Sequence, residues 1–91
     1  MEFEWDIAKQ QSNLRRHRLD FADVEAVFAG ATFTFADDRF EYSEDRYITL
    51  GLLRGTVVVI AHTERREVIR IISMRKATKN EQKIYFAGFT D

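Results

Sequence analysis

Residues 56–62, Thr-Val-Val-Val-Ile-Ala-His, form an apolar run with no alternation. A half-exposed strand alternates apolar with polar residues, so an unbroken run reads as a strand covered on both faces. Turn signals bound it, Leu53-Arg54-Gly55 before and Thr63-Glu64-Arg65-Arg66 after. Residues 47–52 and 67–74 are also strand-like. The three together predict an antiparallel meander joined by short turns.

The remaining elements follow from the 91-residue length. One domain covering residues 1–91 is expected. A domain this small buries only about 60–65% of its unfolded surface. Eight Phe, three Tyr and one Trp supply much of its core. Proline, repeats and low-complexity stretches are absent, so no linker is visible. Phe3-Glu4-Trp5 alternates like a short strand. Asp6 then suits the cap of a helix reaching His17. Asp20 suits the cap of a second helix, with Phe21, Val24, Val27 and Phe28 at helical spacing and Gly30 as its stop. Residues 31–35 alternate as a strand, and residues 37–41 read as a polar loop. Thr78-Lys79-Asn80-Glu81 has the form of a capping box for a last helix that stops at Gly88. The expected class is α+β: a short N-terminal strand, two helices, an antiparallel sheet of about four strands and a C-terminal helix.

Composition removes several functions. With no cysteine there are no disulfides, thiolate metal sites or cysteine nucleophiles. No apolar run is long enough to span a membrane, and Met1-Glu2-Phe3-Glu4-Trp5 lacks the order of a signal peptide. A soluble, cytoplasmic protein is expected. The net charge of -1 argues against a general nucleic-acid coat, but its distribution is uneven. Residues 1–45 carry five Lys/Arg and eleven Asp/Glu; residues 46–91 carry nine Lys/Arg and four Asp/Glu. Either the molecule has an acidic and a basic face, or the halves neutralise each other within the fold.

The densest polar grouping lies in residues 70–85. Arg70 sits inside an apolar strand, where it requires an anion or a carboxylate, such as an acidic residue of the first helices. Ser73, Arg75 and Lys76 follow at the strand end. Glu81 and Tyr85 lie four apart and share a helix face. This inventory suits metal-independent RNA cleavage. A base takes the ribose 2′-OH proton, cations stabilise the phosphorane, and an acid protonates the leaving 5′-oxygen. Arg matches phosphate through its planar fork. Structural roles compete for the same residues: Glu81 as a cap and Tyr85 as a packing aromatic. His17, at the end of the first helix, is either an acid–base group or a partner of the helix dipole. His62 reads as structural. Two histidines without ligand spacing make no metal site. The carboxylates Asp37, Asp38, Glu41, Glu44 and Asp45 read as a solvated loop or a dock for a basic partner rather than a cation site. No Gly-rich phosphate loop and no nucleophile elbow is present.

Two sets of residues carry a family resemblance. The first is Glu4-Trp5-Asp6, Lys9, Asn13, Arg16-His17, Phe21 and Val27-Phe28. The second is residues 46–51, Thr63-Glu64-Arg65, then Arg-Ile-Ile-Ser-x-Arg-x-Ala-x-x-x-Glu-x-x-x-Tyr from Arg70 to Tyr85. Over nearly its whole length the chain resembles the BrnT ribonuclease toxins of type II toxin–antitoxin systems. The resemblance implies a RelE-like fold and RNA cleavage that inhibits translation. It also implies a BrnA-type ribbon-helix-helix antitoxin, in a hetero-oligomer that reaches operator DNA only through the antitoxin. The residues expected to carry catalysis are Arg70, Arg75, Lys76, Glu81, Tyr85 and His17. Lys9, Arg46, Lys79 and Lys83 are expected to bind RNA, with no metal and no cofactor. Two positions depart from the pattern. Ile7 replaces a Pro at the first helical position, a small loss. Arg18 replaces the Gly after the helical His, at a cost of about 1 kcal/mol in a left-handed cap. The competing reading is a non-catalytic binding module that acts only in a complex with a DNA-binding partner.

Overall fold

The computed structural model describes residues 1–39 and 44–89. Strands β1 (Glu2–Trp5), β2 (Phe33–Ala36), β3 (Tyr47–Leu53), β4 (Thr56–Arg65) and β5 (Val68–Lys76) form one sheet in the order β1-β5-β4-β3-β2. The helices are α1 (Ile7–His17), α2 (Val24–Ala29), which follows a 3-10 turn at Phe21–Asp23, and α3 (Lys79–Ala87).

The apolar run lies in β4, between β3 and β5. Val58 and Ile60 face a core made with Phe21, Val24, Val27, Ile69, Ile71 and Met74. Val57 and Val59 face the opposite side, where they pack beside Ile48 and Leu50 of β3 and with Tyr85 of α3. Alternation is missing because both faces are dry. β3 to β5 make the expected antiparallel meander, and β2 pairs antiparallel with the outer side of β3. The sheet nevertheless has five strands and is mixed. β1 joins its edge in parallel with β5, from Glu2 opposite Val68 to Trp5 opposite Ile71.

Where β1 ends, a side chain takes over its pairing. Asn13 of α1 donates from Nδ2 to the Met74 carbonyl at 2.9 Å and accepts the Met74 N–H at 3.1 Å. Its carboxamide thus supplies both bonds of a missing strand residue. Nδ2 also donates to the Leu19 carbonyl at 3.0 Å, tying down the chain beyond α1. Asn13 is buried, and each of these bonds satisfies a group that burial would otherwise leave unpaired. One turn earlier on the same face of α1, Gln10 accepts from Trp5 Nε1 and donates to Asp20. α1 is therefore held to the β5 edge by polar side chains, which explains its weak apolar stripe.

The boundaries follow local chemistry. Asp6 accepts the Lys9 N–H, and Asp20 accepts the Ala22 N–H at the start of the 3-10 turn. Thr78 and Glu81 form the expected capping box. Arg18 takes the left-handed cap conformation at φ 61°, and its N–H reaches the Leu14 carbonyl. The turn thus keeps the geometry that favours glycine despite the arginine. Arg54 and Gly55 turn β3 into β4, both with positive φ. The next hairpin is tighter than expected: β4 continues through Thr63–Arg65, and only Arg66 and Glu67 turn, with φ of 52° and 68°. Gly51 lets α2 approach β3, since a Cβ there would lie 2.5 Å from Val27 Cγ1. Of the expected polar loop, residues 40 and 41 lie outside the described residues.

Candidate active site

The α3 side of β5 presents Arg70, Ser73 and Arg75, opposite Thr63, Ala61 and Val59 of β4. The register shifts between Ala61 and His62, whose partners are Ser73 and Ile71, so Ile72 is an extra residue in β5. A bulge of this kind bends the strand and re-aims its side chains. Arg75 lies beyond it, next to the start of α3.

Arg75 and Glu81 form a two-pronged ion pair. Nη1 and Nη2 donate to Oε1 and Oε2 at 2.7 and 2.8 Å. The same Glu81 carboxylate accepts the Thr78 N–H at 2.9 Å, so the helix cap itself fixes where the arginine points. Nη1 also donates to the Lys76 carbonyl at 3.3 Å. A guanidinium carries five N–H donors. Three are used here, leaving Nε–H and one Nη2–H along the other edge of the group. That edge is a second fork of the geometry that matches two phosphate oxygens. The side chain is 37% exposed, so an anion has access to it.

The electrostatics sort the roles. The Arg75 hydrogen bonds hold the Glu81 carboxyl down at about 2, against an ordinary value of 4.5. A carboxylate so acidic is a poor proton acceptor near neutral pH. The Arg75 pKa is raised, chiefly by its hydrogen bonds to Glu81. Arg39 acts on Arg75 from close by as a second positive charge. Its own guanidinium forks onto the buried Asp37 at 2.8 and 3.0 Å. Arg39 was not among the expected site residues, because only the tertiary fold brings residue 39 to the end of β5.

The other expected residues are dispersed. Tyr85 is 2% exposed and donates its hydroxyl to the Ala31 carbonyl at 2.8 Å, beneath α3. Arg70 is exposed, not buried among its apolar neighbours. It meets Glu4 of β1 at 3.3 Å rather than an acid of the first helices. It also stands five residues from Arg75, about 15 Å along the strand. Lys76 is exposed at the end of β5, and Lys79 and Lys83 are exposed on α3. Arg46 is half-buried just before β3, and its carbonyl accepts the Asp37 N–H.

Lys9 and His17 come together elsewhere. With Ser12, Asn13 and Arg16 of α1 and Ile72 and Ser73 of β5, they line a groove of about 200 Å³. The spacing 9, 12, 13, 16, 17 is one helical stripe, a signal present in the sequence and overlooked there. His62 lies outside both places. It is fully buried, with Nε2 2.7 Å from the Thr49 hydroxyl, and its ring stacks on Tyr47. Burial pulls its pKa down to about 4. It is therefore neutral at pH 7, and its 3.8 Å approach to Glu64 is no ion pair there. Among the described residues no three His, Cys, Asp or Glu side chains cluster as a metal site. No described helix is long and apolar enough to cross a membrane.

No curated protein matches the sequence. Residues 5–81 do match the description of a family, the ribonuclease toxin BrnT of type II toxin–antitoxin systems. The matched segment runs from the end of β1 to Glu81, so it includes the Asn13 brace, the α1 groove and the Arg75–Glu81 pair. The chain thus belongs to the BrnT family of ribonuclease toxins.

Proposed function

We propose that this toxin is a metal-independent endoribonuclease that stops translation by cutting RNA, and that a BrnA-type ribbon-helix-helix antitoxin neutralises it in a hetero-oligomer. The observation that carries the reading is the Arg75 guanidinium, clamped on one edge by Glu81 and open on the other. A cation already oriented before substrate arrives stabilises charge developing on a phosphate without further reorganisation. In this reading Arg75 binds the scissile phosphate. The 2′-OH loses its proton and its oxygen bonds to phosphorus. The bond to the 5′-oxygen then breaks and that oxygen takes up a proton. The products are a 2′,3′-cyclic phosphate and a 5′-hydroxyl.

Glu81 is a positioning residue here, because its charge is committed to Arg75 and the cap. Tyr85 packs α3 against the sheet. His17 is the side chain of the set equipped for proton transfer. Lys76, Lys79 and Lys83 add positive charge around the exit of β5 for the RNA strand, and Arg46 and Arg70 are more distant contacts. The donor set supports metal independence, since the reaction needs one oriented cation and proton carriers. Incubating the purified chain with a defined RNA in EDTA, and mapping the ends, tests this. Cleavage with cyclic or 3′-phosphate ends is expected. Activity lost in EDTA and restored by Mg²⁺ or Mn²⁺ would refute the mechanism.

A further inference from the structure

We propose that the groove between α1 and β5 is a second phosphate-binding position for single-stranded RNA, with Lys9 and Arg16 as its cations and Ser12 and Ser73 as its hydroxyl donors. The proposal rests on the ribonuclease reading and adds to it a place for the backbone beside the scissile phosphate.

Charge is the first argument. The groove is lined by Lys9, Ser12, Asn13, Arg16, His17, Ile72 and Ser73, with no carboxylate among them. Three other concavities on the molecule each hold two, Glu2 with Glu25, Glu64 with Glu67, and Glu4 with Glu44. Lys9 and Arg16 have no ion-pair partner among the described residues, whereas Arg39, Arg54, Arg70 and Arg75 each have one. Two uncompensated cations facing one concavity attract an anion.

Position is the second argument. Asn13 spends its carboxamide on Met74 and Leu19, which locks α1 against the β5 edge and holds the stripe 9, 12, 16 beside it. The extra residue Ile72 puts a bend at the groove. Ser73 and Arg75 lie on the same face of β5, two residues and about 6–7 Å apart. One short strand of RNA laid across that face reaches the Arg75 fork and the groove together. His17 is part of the wall of this groove. Helix-dipole stabilisation accounts for a cation in the last turn of α1, but not for Lys9 at its start.

The test measures binding and cutting separately. Kd for a fully 2′-O-methylated single-stranded oligonucleotide, which has no 2′-OH to react, is measured across a salt series. Wild type is compared with Lys9→Gln/Arg16→Gln and with Ser73→Leu, which fills the groove without changing charge. Both sites are on the surface or half-buried, and circular dichroism verifies the fold. The double variant is expected to raise Kd about tenfold or more. Its salt slope is expected to fall by about 0.7 for each phosphate that the protein no longer neutralises. Ser73→Leu is expected to raise Kd although the protein's charge is unaltered. A cleavable RNA of the same sequence is then followed in single turnover. A double variant that binds like wild type with the same slope, while wild type cuts RNA, overturns the groove proposal alone. Wild type that binds and responds to the variants but never cuts overturns the ribonuclease reading and leaves the groove. Wild type that neither binds nor cuts overturns both. RNA binding unchanged while antitoxin binding is abolished would assign the groove to the protein partner and also overturn the proposal.

Discussion

Arg75 illustrates how much a single side chain depends on its clamp. Its charge alone is available from lysine, but its two forks are not. Arg75→Lys should therefore cost about 10²-fold in kcat with little change in folding, because the oriented donors are removed. Glu81→Gln should fall less, and its loss should sit in kcat rather than KM, since the phosphate still meets the cation but the cation is no longer held. Single-turnover rates with KM measured in parallel check both. Equal kcat for wild type and Arg75→Lys would remove Arg75 from the reacting centre. His62 makes a prediction about pH. Its folded value of about 4 lies below the ordinary 6.5, so between these values the unfolded chain binds a proton that the folded chain refuses. Stability is then full above pH 6.5 and declines as pH falls toward 4, by on the order of 3 kcal/mol in total. Glu81 continues the decline from 4.5 toward 2, where its carboxylate is protonated in the unfolded chain first. Urea melts at pH 7, 5.5 and 4.5 measure the first window. His62→Gln, which retains a hydrogen-bonding partner for Thr49, should flatten it.

Among the elements, the hairpins are the points of stored strain. The turn between β4 and β5 places Arg66 and Glu67 at positive φ, where a Cβ crowds the following carbonyl. The turn between β3 and β4 has Gly55 at its second position and is relaxed there. Two-residue turns of this hand favour Asn-Gly. Arg66→Asn/Glu67→Gly should thus raise stability by about 1–2 kcal/mol, read as a higher denaturant midpoint at unchanged slope. A lower midpoint would mean that the Arg66 and Glu67 side chains contribute interactions outweighing the strain. Strand order was legible for β3, β4 and β5, because short turns leave adjacent strands no choice but to pair. The pairing of β1 with β5 was not. Glu4 and Arg70 are 66 residues apart, and nothing local in four residues at the start of a chain names a partner.

At the scale of the whole molecule, the charge split between the two halves is partly cancelled in the fold. Glu4 meets Arg70 and Asp23 meets Arg54, each joining an acid of the first half to a base of the second. Both pairs are exposed and contribute little to stability. Lys76, Lys79 and Lys83 remain without an ion-pair partner among the described residues and are exposed at the end of β5 and on α3. An antitoxin that blocks RNA there needs complementary surface. Lys76→Glu/Lys79→Glu/Lys83→Glu should therefore slow association with the antitoxin and flatten its salt dependence. Stopped-flow association at low and high salt reads this. Unchanged rates at both would place the antitoxin elsewhere, and the edge strand β2, with Phe33 and Phe35 exposed, is the next surface to test.

Much of this protein was written into local chemistry. Asp6, Asp20, Thr78 and Glu81 announced helix starts because a cap needs only a side-chain oxygen two or three residues from an amide. The run 56–62 announced a doubly covered strand because burial on two faces leaves no place for a polar residue. The motif from Arg70 to Tyr85 announced the family. Three decisions belonged to the tertiary structure. Tyr85 shares a face of α3 with Glu81, but one turn further on it is buried against the Ala31 carbonyl, while Glu81 meets Arg75 at the rim. Arg70 came to the surface because alternate residues of a strand face opposite ways and the α3 side of β5 is open there. Asn13 became a substitute strand only where β1 ran out beside Met74. Each outcome depends on what the rest of the chain sets against the residue, and no spacing along the sequence carries that information.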